Sequence, residues 1–118
     1  GEIGTVALVQ DEFGGSNINA QICLLRVNDT NELAPEFLLQ ELTTNHCQKQ
    51  FKELQTGSAL KQLPKSSLGK VSIKTPSLKE QTKIANFLTA VDEKITVTQT
   101  QLQAVKRYKQ GLLQQMFV

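Results

Sequence analysis

The chain has 118 residues, of which 39% are hydrophobic and 5% aromatic, with no tryptophan and a formal net charge of +2 at pH 7. This length suits one domain with an aliphatic core, and so small a domain is only marginally stable without partners. No apolar run approaches the roughly 20 residues that span a bilayer, and the first residues lack the pattern of a signal peptide. These properties argue against a membrane protein and predict a soluble, cytoplasmic one.

The modest net charge conceals an asymmetry along the chain. Residues 1–53 contain three basic and eight acidic side chains, whereas residues 54–118 contain ten basic and three acidic ones. The densest basic run extends from Lys61 to Lys83. Such a run favours a polyanionic partner, although a solvated lysine-rich surface explains it equally well.

β-Branched and apolar residues predict two strands near the N-terminus. The first covers residues 1–9, with Gly4 at a bulge or a close backbone approach, and the second covers residues 19–27. The segment 11–17 between them contains two adjacent glycines and is predicted to be a turn. A third strand is predicted over residues 70–75, where apolar and polar residues alternate.

A helix is predicted to begin at Pro35, because proline fits the first helical position. The helical pattern continues weakly through Phe51 and Leu54 and stops at Gly57, a candidate left-handed cap. Pro64 interrupts the irregular segment that follows. The predicted fold class is therefore α+β, a small mixed β-sheet with one or two short helices, followed by a long C-terminal coiled-coil helix.

The start of that long helix is marked by Ser77 and Glu80, which have the spacing of a capping box. Apolar residues then recur at alternating intervals of four and three, which is the 3.5-residue repeat of a coiled-coil seam. A helix from Lys79 to Phe117 would be roughly 58 Å long, and it requires a partner because its stability must come from packing. The seam consists of Ile84, Leu88, Val91, Ile95, Leu102, Val105, Leu112 and Met116, with Thr98 and Lys109 at the two polar positions.

Patterns of catalytic or metal-binding residues are not found. His46 and Cys47 are neighbours, and on a helix they would point about 100° apart, which prevents a nucleophile–base pair. Cys23 and Cys47 lack C-x-x-C spacing, which favours buried free thiols over a disulfide or a metal site. The sequence thus predicts no catalytic residue, no metal, no cofactor and no enzymatic activity.

Several segments together resemble the specificity subunits of type I restriction–modification systems. GEIGTVALV resembles a glycine-containing strand of their target recognition domains, and PEFLLQEL resembles a helix that follows. The most specific stretch is GSALKQLPKSSLGKVSIKTPSLKEQTKIANFLTAVDEKI, in which a segment ending in proline leads into a Glu-Gln-x-x-Ile-Ala helix. LQAVKRYKQGLLQQMF resembles the end of their conserved spacer helix. The resemblance spans essentially the whole chain.

The resemblance implies a non-catalytic protein that reads double-stranded DNA through residues 1–76 and pairs through the spacer helix of residues 77–118. In the family, spacer helices form an antiparallel coiled coil and dock modification subunits, which methylate adenine with S-adenosylmethionine, and restriction subunits join them. Compared with the family, the chain is expected to start part-way through a recognition domain. It is therefore expected to be a natural half subunit, a truncated gene product, or a proteolytic or cloned fragment.

Three functional hypotheses follow. In the first, Lys61, Lys65 and Lys70 contact DNA phosphates, while Ser58, Asn17 and Asn19 read base edges, although Ser58 is equally well explained as the cap of a turn. In the second, the chain is a coiled-coil assembly module without DNA binding of its own, and it forms a homodimer through antiparallel helices. In the third, it is an independent coiled-coil regulator that has no methyltransferase partner.

Overall fold

The computed structural model describes residues 2–117, and the elements in that range are helical. The α-helices are α1 (Pro35–Leu42), α2 (Asn45–Leu54), α3 (Lys65–Leu68) and α4 (Leu78–Met116), and a short 3₁₀-helix covers Asp11–Phe13. The chain divides into unit 1, Gly1–Ala85, and unit 2, Asn86–Val118. Unit 1 contains α1, α2, α3 and the first two turns of α4, and unit 2 contains the rest of α4.

The predicted mixed β-sheet is wrong, because residues 2–117 contain no β-strand. The predicted strands 1–9, 19–27 and 70–75 are irregular in this range, and Gly1 of the first lies outside the described residues. Within residues 2–117, β-type backbone pairing is limited to one isolated antiparallel bridge between Thr56 and Gln62. The physical reason is that β-branched residues favour an extended chain, but a strand exists only where another strand supplies its hydrogen bonds.

Two helices occupy the region in which one weak helix was predicted from Pro35 to Leu54. Pro35 is the first residue of α1, as predicted, but α1 ends at Leu42. Thr44 has an extended backbone and serves as the N-cap of α2, where its hydroxyl accepts a hydrogen bond from the Cys47 amide at 3.3 Å. This capping threonine breaks the helix and redirects the chain.

The core of unit 1 is small and lies around α1 and α2. Leu42, Cys47 and Phe51 are buried and form one cluster. Half-buried apolar residues from α1, α3 and the irregular segments pack against this cluster; they are Val6, Leu38, Leu63, Leu68, Val71 and Ile73. Residues of the wrongly predicted strands therefore contribute to the core without forming a sheet.

Both cysteines are free thiols, and Cys47 is buried as predicted, but the prediction of burial is wrong for Cys23, which is exposed. Burial raises the pKa of the Cys47 thiol, the nearby Glu41 carboxylate adds to this effect, and the hydrogen bond with Thr44 opposes it. Cys47 is thus a neutral apolar component of the core, as predicted for a buried thiol.

Glutamine side chains hold the irregular segments against the helices. The Gln48 amide nitrogen donates to the Gly4 carbonyl at 2.9 Å and to the Leu42 carbonyl at 2.8 Å. The Gln50 amide group accepts from the Ser72 amide and donates to the Ser72 carbonyl, both at 2.8 Å. Gln50 therefore pairs with Ser72 as a neighbouring strand would, and this replaces a sheet ladder in the segment 70–75.

The N-terminus of α4 is fixed by Gln81, whose side chain is fully buried. Its amide oxygen accepts a hydrogen bond from the Ala34 amide at 2.9 Å, and its amide nitrogen donates to the carbonyls of Glu32 and Pro76 at 2.8 Å each. The Glu80 amide donates to the Ser77 hydroxyl at 3.4 Å, which is the first of the two bonds of the predicted capping box. The predicted long C-terminal helix is confirmed.

Replacing Gln81 by methionine tests this anchor. Methionine keeps the length and helix propensity of glutamine but leaves three backbone groups without their partner, so we expect unfolding to become easier by on the order of 2–3 kcal/mol. The midpoint of urea unfolding measures the effect. Gln110→Met on the exposed surface of α4 is the matched control and should leave the midpoint nearly unchanged; equal midpoints for the two variants would contradict the anchoring role.

Candidate nucleic-acid interface

The loop of residues 57–61 is closed at its base by a pair of backbone hydrogen bonds. Thr56 and Gln62 exchange both bonds, at 2.8 and 2.9 Å. Gly57 has φ +92°, the left-handed conformation that was predicted, but α2 has already ended at Leu54, so Gly57 opens the loop instead of capping the helix. The loop exposes the side chains of Ser58 and Lys61 to solvent.

The short helix α3 positions the next two lysines. Pro64 precedes it, and the amides of Ser67 and Leu68 both donate to the Pro64 carbonyl at 3.0 Å. Leu68 packs against the core, which turns the opposite face of α3 to solvent. Lys65, the first residue of α3, and Lys70, which follows its end, are both exposed.

The structure places the six predicted DNA-contact residues in two groups. Ser58, Lys61, Lys65 and Lys70 belong to one stretch formed by the loop 57–61 and α3. Asn17 and Asn19 are exposed in a different segment of the chain, which follows the 3₁₀-helix. The Asn19 side-chain oxygen accepts a bond from the Gln21 amide at 2.9 Å, so it already stabilises a local turn.

The charged residues in and around the loop–α3 stretch are all lysines. The sequence contains no acidic residue between Glu53 and Glu80, while Lys61, Lys65, Lys70, Lys74 and Lys79 lie in this interval. Glu53, the last acidic residue before this interval, forms an ion pair with Lys49 at 3.9 Å. Both side chains are largely exposed. Such a surface pair is weak, and it contains none of the lysines of the loop–α3 stretch.

The predicted seam of α4 is solvent-exposed along its length. Leu88 is half-buried, and the other seven apolar seam residues are between 39% and 74% exposed. Thr98, at a polar seam position, donates its hydroxyl to the Lys94 carbonyl of its own helix at 2.8 Å. Its polar atom is therefore satisfied, and the side chain offers a methyl group to any helix packed on the seam.

Sequence reasoning missed the structural glutamines, above all Gln81. The available signal was its place in the Glu-Gln-x-x-Ile-Ala stretch, where Gln81 and Ala85 lie four residues apart and so share one helical face. Within the described part of α4 these two are the buried residues. A polar residue on the one buried face of an otherwise exposed helix indicates a hydrogen-bonding anchor.

Residues 2–117 contain neither a cluster of metal-binding side chains nor a membrane-spanning helix. No group of three or more histidine, cysteine or acidic side chains there is arranged to hold a metal ion. No helix in the same range is both long and apolar enough to cross a membrane.

Comparison with protein families gives one match over most of the chain. The family model described as type I restriction modification DNA specificity domain matches residues 1–107. Comparisons with curated proteins and with solved structures gave no match.

Gly57→Ala tests whether the loop 57–61 is held rigidly. Alanine at a positive φ is strained, and its Cβ would collide with the Leu60 carbonyl, so we expect the Thr56–Gln62 bridge to open. Amide hydrogen exchange of Thr56 and Gln62 should accelerate at least tenfold, which corresponds to about 1.4 kcal/mol. Gly15→Ala is the matched control, because Gly15 has φ +84° but open space around its Cβ position; unchanged exchange in Gly57→Ala would contradict a rigid loop.

Proposed function

Because the chain belongs to the family of type I restriction modification DNA specificity domains, we propose that it is a non-catalytic DNA-recognition subunit or part of one. In this proposal residues 1–76 contact the target DNA, and residues 77–118 form a spacer helix that assembles with other subunits. The observation that carries the proposal is the family match over residues 1–107, which includes both the loop–α3 stretch and most of α4.

The loop–α3 stretch is the proposed phosphate-contacting surface. Lys61, Lys65 and Lys70 are exposed and have no carboxylate near them in sequence, so their charges are available to a polyanion. Ser58 lies in the same loop as Lys61, and its hydroxyl can exchange hydrogen bonds with a base edge. Asn17 and Asn19 are proposed as a second base-reading group, supplied by a different loop.

DNA affinity should depend steeply on salt if lysines neutralise phosphates. For the double variant Lys61→Ala/Lys65→Ala, we expect weaker binding and a slope of log affinity against log salt that is reduced by about 2. Fluorescence anisotropy with a labelled duplex at several salt concentrations measures both quantities.

The double variant Lys79→Ala/Lys83→Ala removes the same charge from the exposed start of α4 and serves as the control. It should leave most of the slope intact. Equal losses in the two double variants would mean that only net charge matters, and salt-independent binding by the unmodified chain would refute the phosphate contacts altogether.

The exposed seam of α4 is the proposed assembly surface. Apolar residues at a 3.5-residue repeat form a seam that another helix covers, and in unit 2 this seam is exposed to solvent. We propose a second copy of the chain as one partner, through antiparallel helices, and the modification and restriction subunits as further partners of the same helix. An assembly module without DNA binding is the alternative function, and the seam alone supports it.

The double variant Val91→Asp/Ile95→Asp tests the assembly surface. Two carboxylates in the seam would have to be buried on pairing, so we expect a dimer at micromolar concentration to become a monomer. Sedimentation equilibrium measures the mass. The control Thr96→Asp/Thr100→Asp introduces two carboxylates with the same spacing of four residues outside the seam, and it should remain dimeric. A monomeric unmodified chain would refute self-association.

A further inference from the structure

The segment 70–75, which leads from α3 towards α4, has two different sides although it forms no strand. Val71 and Ile73 are half-buried and pack against the core cluster of unit 1. The exposed residues that alternate with them are Lys70, Ser72 and Lys74. The apolar side chains therefore hold the segment on the core, while the two lysines are displayed to solvent.

Side chains of α1 and α2 fasten the backbone of this segment. Gln50 of α2 exchanges two hydrogen bonds with the Ser72 backbone, both at 2.8 Å. The Lys74 amide donates to the Glu41 carboxylate of α1 at 3.4 Å. Without a neighbouring strand, these side chains satisfy backbone groups that water would otherwise have to satisfy. Because they bind backbone atoms, the lysine side chains stay available.

The charges of Lys70 and Lys74 are not neutralised by the protein itself. No ion pair within residues 2–117 includes either lysine. Their spacing of four residues corresponds to at most roughly 14 Å between the Cα atoms. A DNA duplex presents several phosphate charges over such a length. The two ammonium groups can therefore contact two phosphates of one duplex at the same time.

The Gln50 bonds matter for binding because a lysine contact is weakened by everything that must be ordered when it forms. A lysine on a mobile backbone loses both backbone and side-chain freedom on binding. A lysine on a fixed backbone loses side-chain freedom alone. Gln50 bonds to Ser72, two residues from each lysine, and so restricts the backbone that carries both of them.

We propose that Lys74 contacts a DNA phosphate together with Lys70, and that Gln50 is the positioning residue that holds the two lysines at a fixed spacing. The inference rests on the proposed DNA-contacting function of residues 1–76. It adds a further phosphate-contacting lysine and a residue that touches no DNA but determines affinity through the segment 70–75.

Binding of the full chain to a labelled duplex of arbitrary sequence tests the contact of Lys74, because phosphate contacts do not depend on base sequence. For Lys74→Ala, we expect the slope of log affinity against log salt to fall by about 1. Lys79→Ala is the matched control, because it removes the same charge from another exposed position, and it should leave the slope unchanged. Equal slopes for Lys74→Ala and the unmodified chain overturn the contact.

Gln50→Met tests the positioning role, because methionine keeps the length of glutamine and removes both bonds to Ser72. We expect affinity at low salt to fall about three- to tenfold. Gln48→Met is the matched control: Gln48 also lies on α2 and also binds backbone carbonyls, but those of Gly4 and Leu42. It should lower the urea midpoint and leave the affinity of the folded chain unchanged. Equal losses of affinity indicate general destabilisation and overturn the positioning role.

A double-mutant cycle gives a readout that does not depend on stability. In the background Lys70→Ala/Lys74→Ala, Gln50→Met should cause no further loss of affinity, because the side chains that it positions are absent. The full loss in that background overturns the positioning role.

Failure of this inference is distinguishable from failure of the proposed function. An unmodified chain that does not bind the duplex, or binds it independently of salt, refutes both. Salt-dependent binding that Lys74→Ala and Gln50→Met leave unchanged refutes only the inference.

Discussion

The three hydrogen bonds of the Gln81 side chain determine how unit 1 is organised. Ala34 is the N-cap of α1, and Pro76 lies two residues before α4, so one buried amide group joins the starts of two helices. Its remaining bond, to the Glu32 carbonyl, fixes the turn that leads into α1. An amide carries two donor hydrogens and one acceptor oxygen, and here all of them are used. Because Gln81 is fully buried, no water can replace a lost partner at low cost.

Side-chain amides in unit 1 perform the role that a sheet ladder performs in other small domains. Gln48 binds the Gly4 carbonyl, and Gln50 exchanges two bonds with Ser72, so both irregular segments are attached to α2. Gly4 has φ +95°, and a Cβ there would collide with the Gln48 side chain and press on Phe51. The predicted close approach at Gly4 is thus confirmed, and its cause is a helix rather than a neighbouring strand.

Features that depend on local sequence could be predicted, and features that depend on distant pairing could not. Pro35 at the first turn of α1, the start of α4 after Ser77 and the positive φ of Gly57 all follow from the conformational preferences of single residues. The strand predictions were wrong because β-propensity describes how well a side chain suits a pleated surface. It does not say which other segment will lie beside the predicted strand. Among the candidate site residues, the basic run and the apolar repeat of the seam could be identified from the sequence, because charge and spacing are properties of the sequence itself.

The stability of α4 and its proposed assembly depend on the same side chains. Unit 1 anchors only the first two turns, through Gln81 and Ala85, whereas the helix continues to Met116. Threonine, valine and isoleucine recur along α4, and their lower helix propensity means that the helix depends on packing for stability. Covering a half-exposed seam residue contributes about 1 kcal/mol, and because pairing covers seam residues on both copies, the sum becomes comparable with the 4–15 kcal/mol or more lost on association. In the proposed assembly, helix stability and partner binding are therefore coupled, and a substitution in the seam is expected to weaken both together.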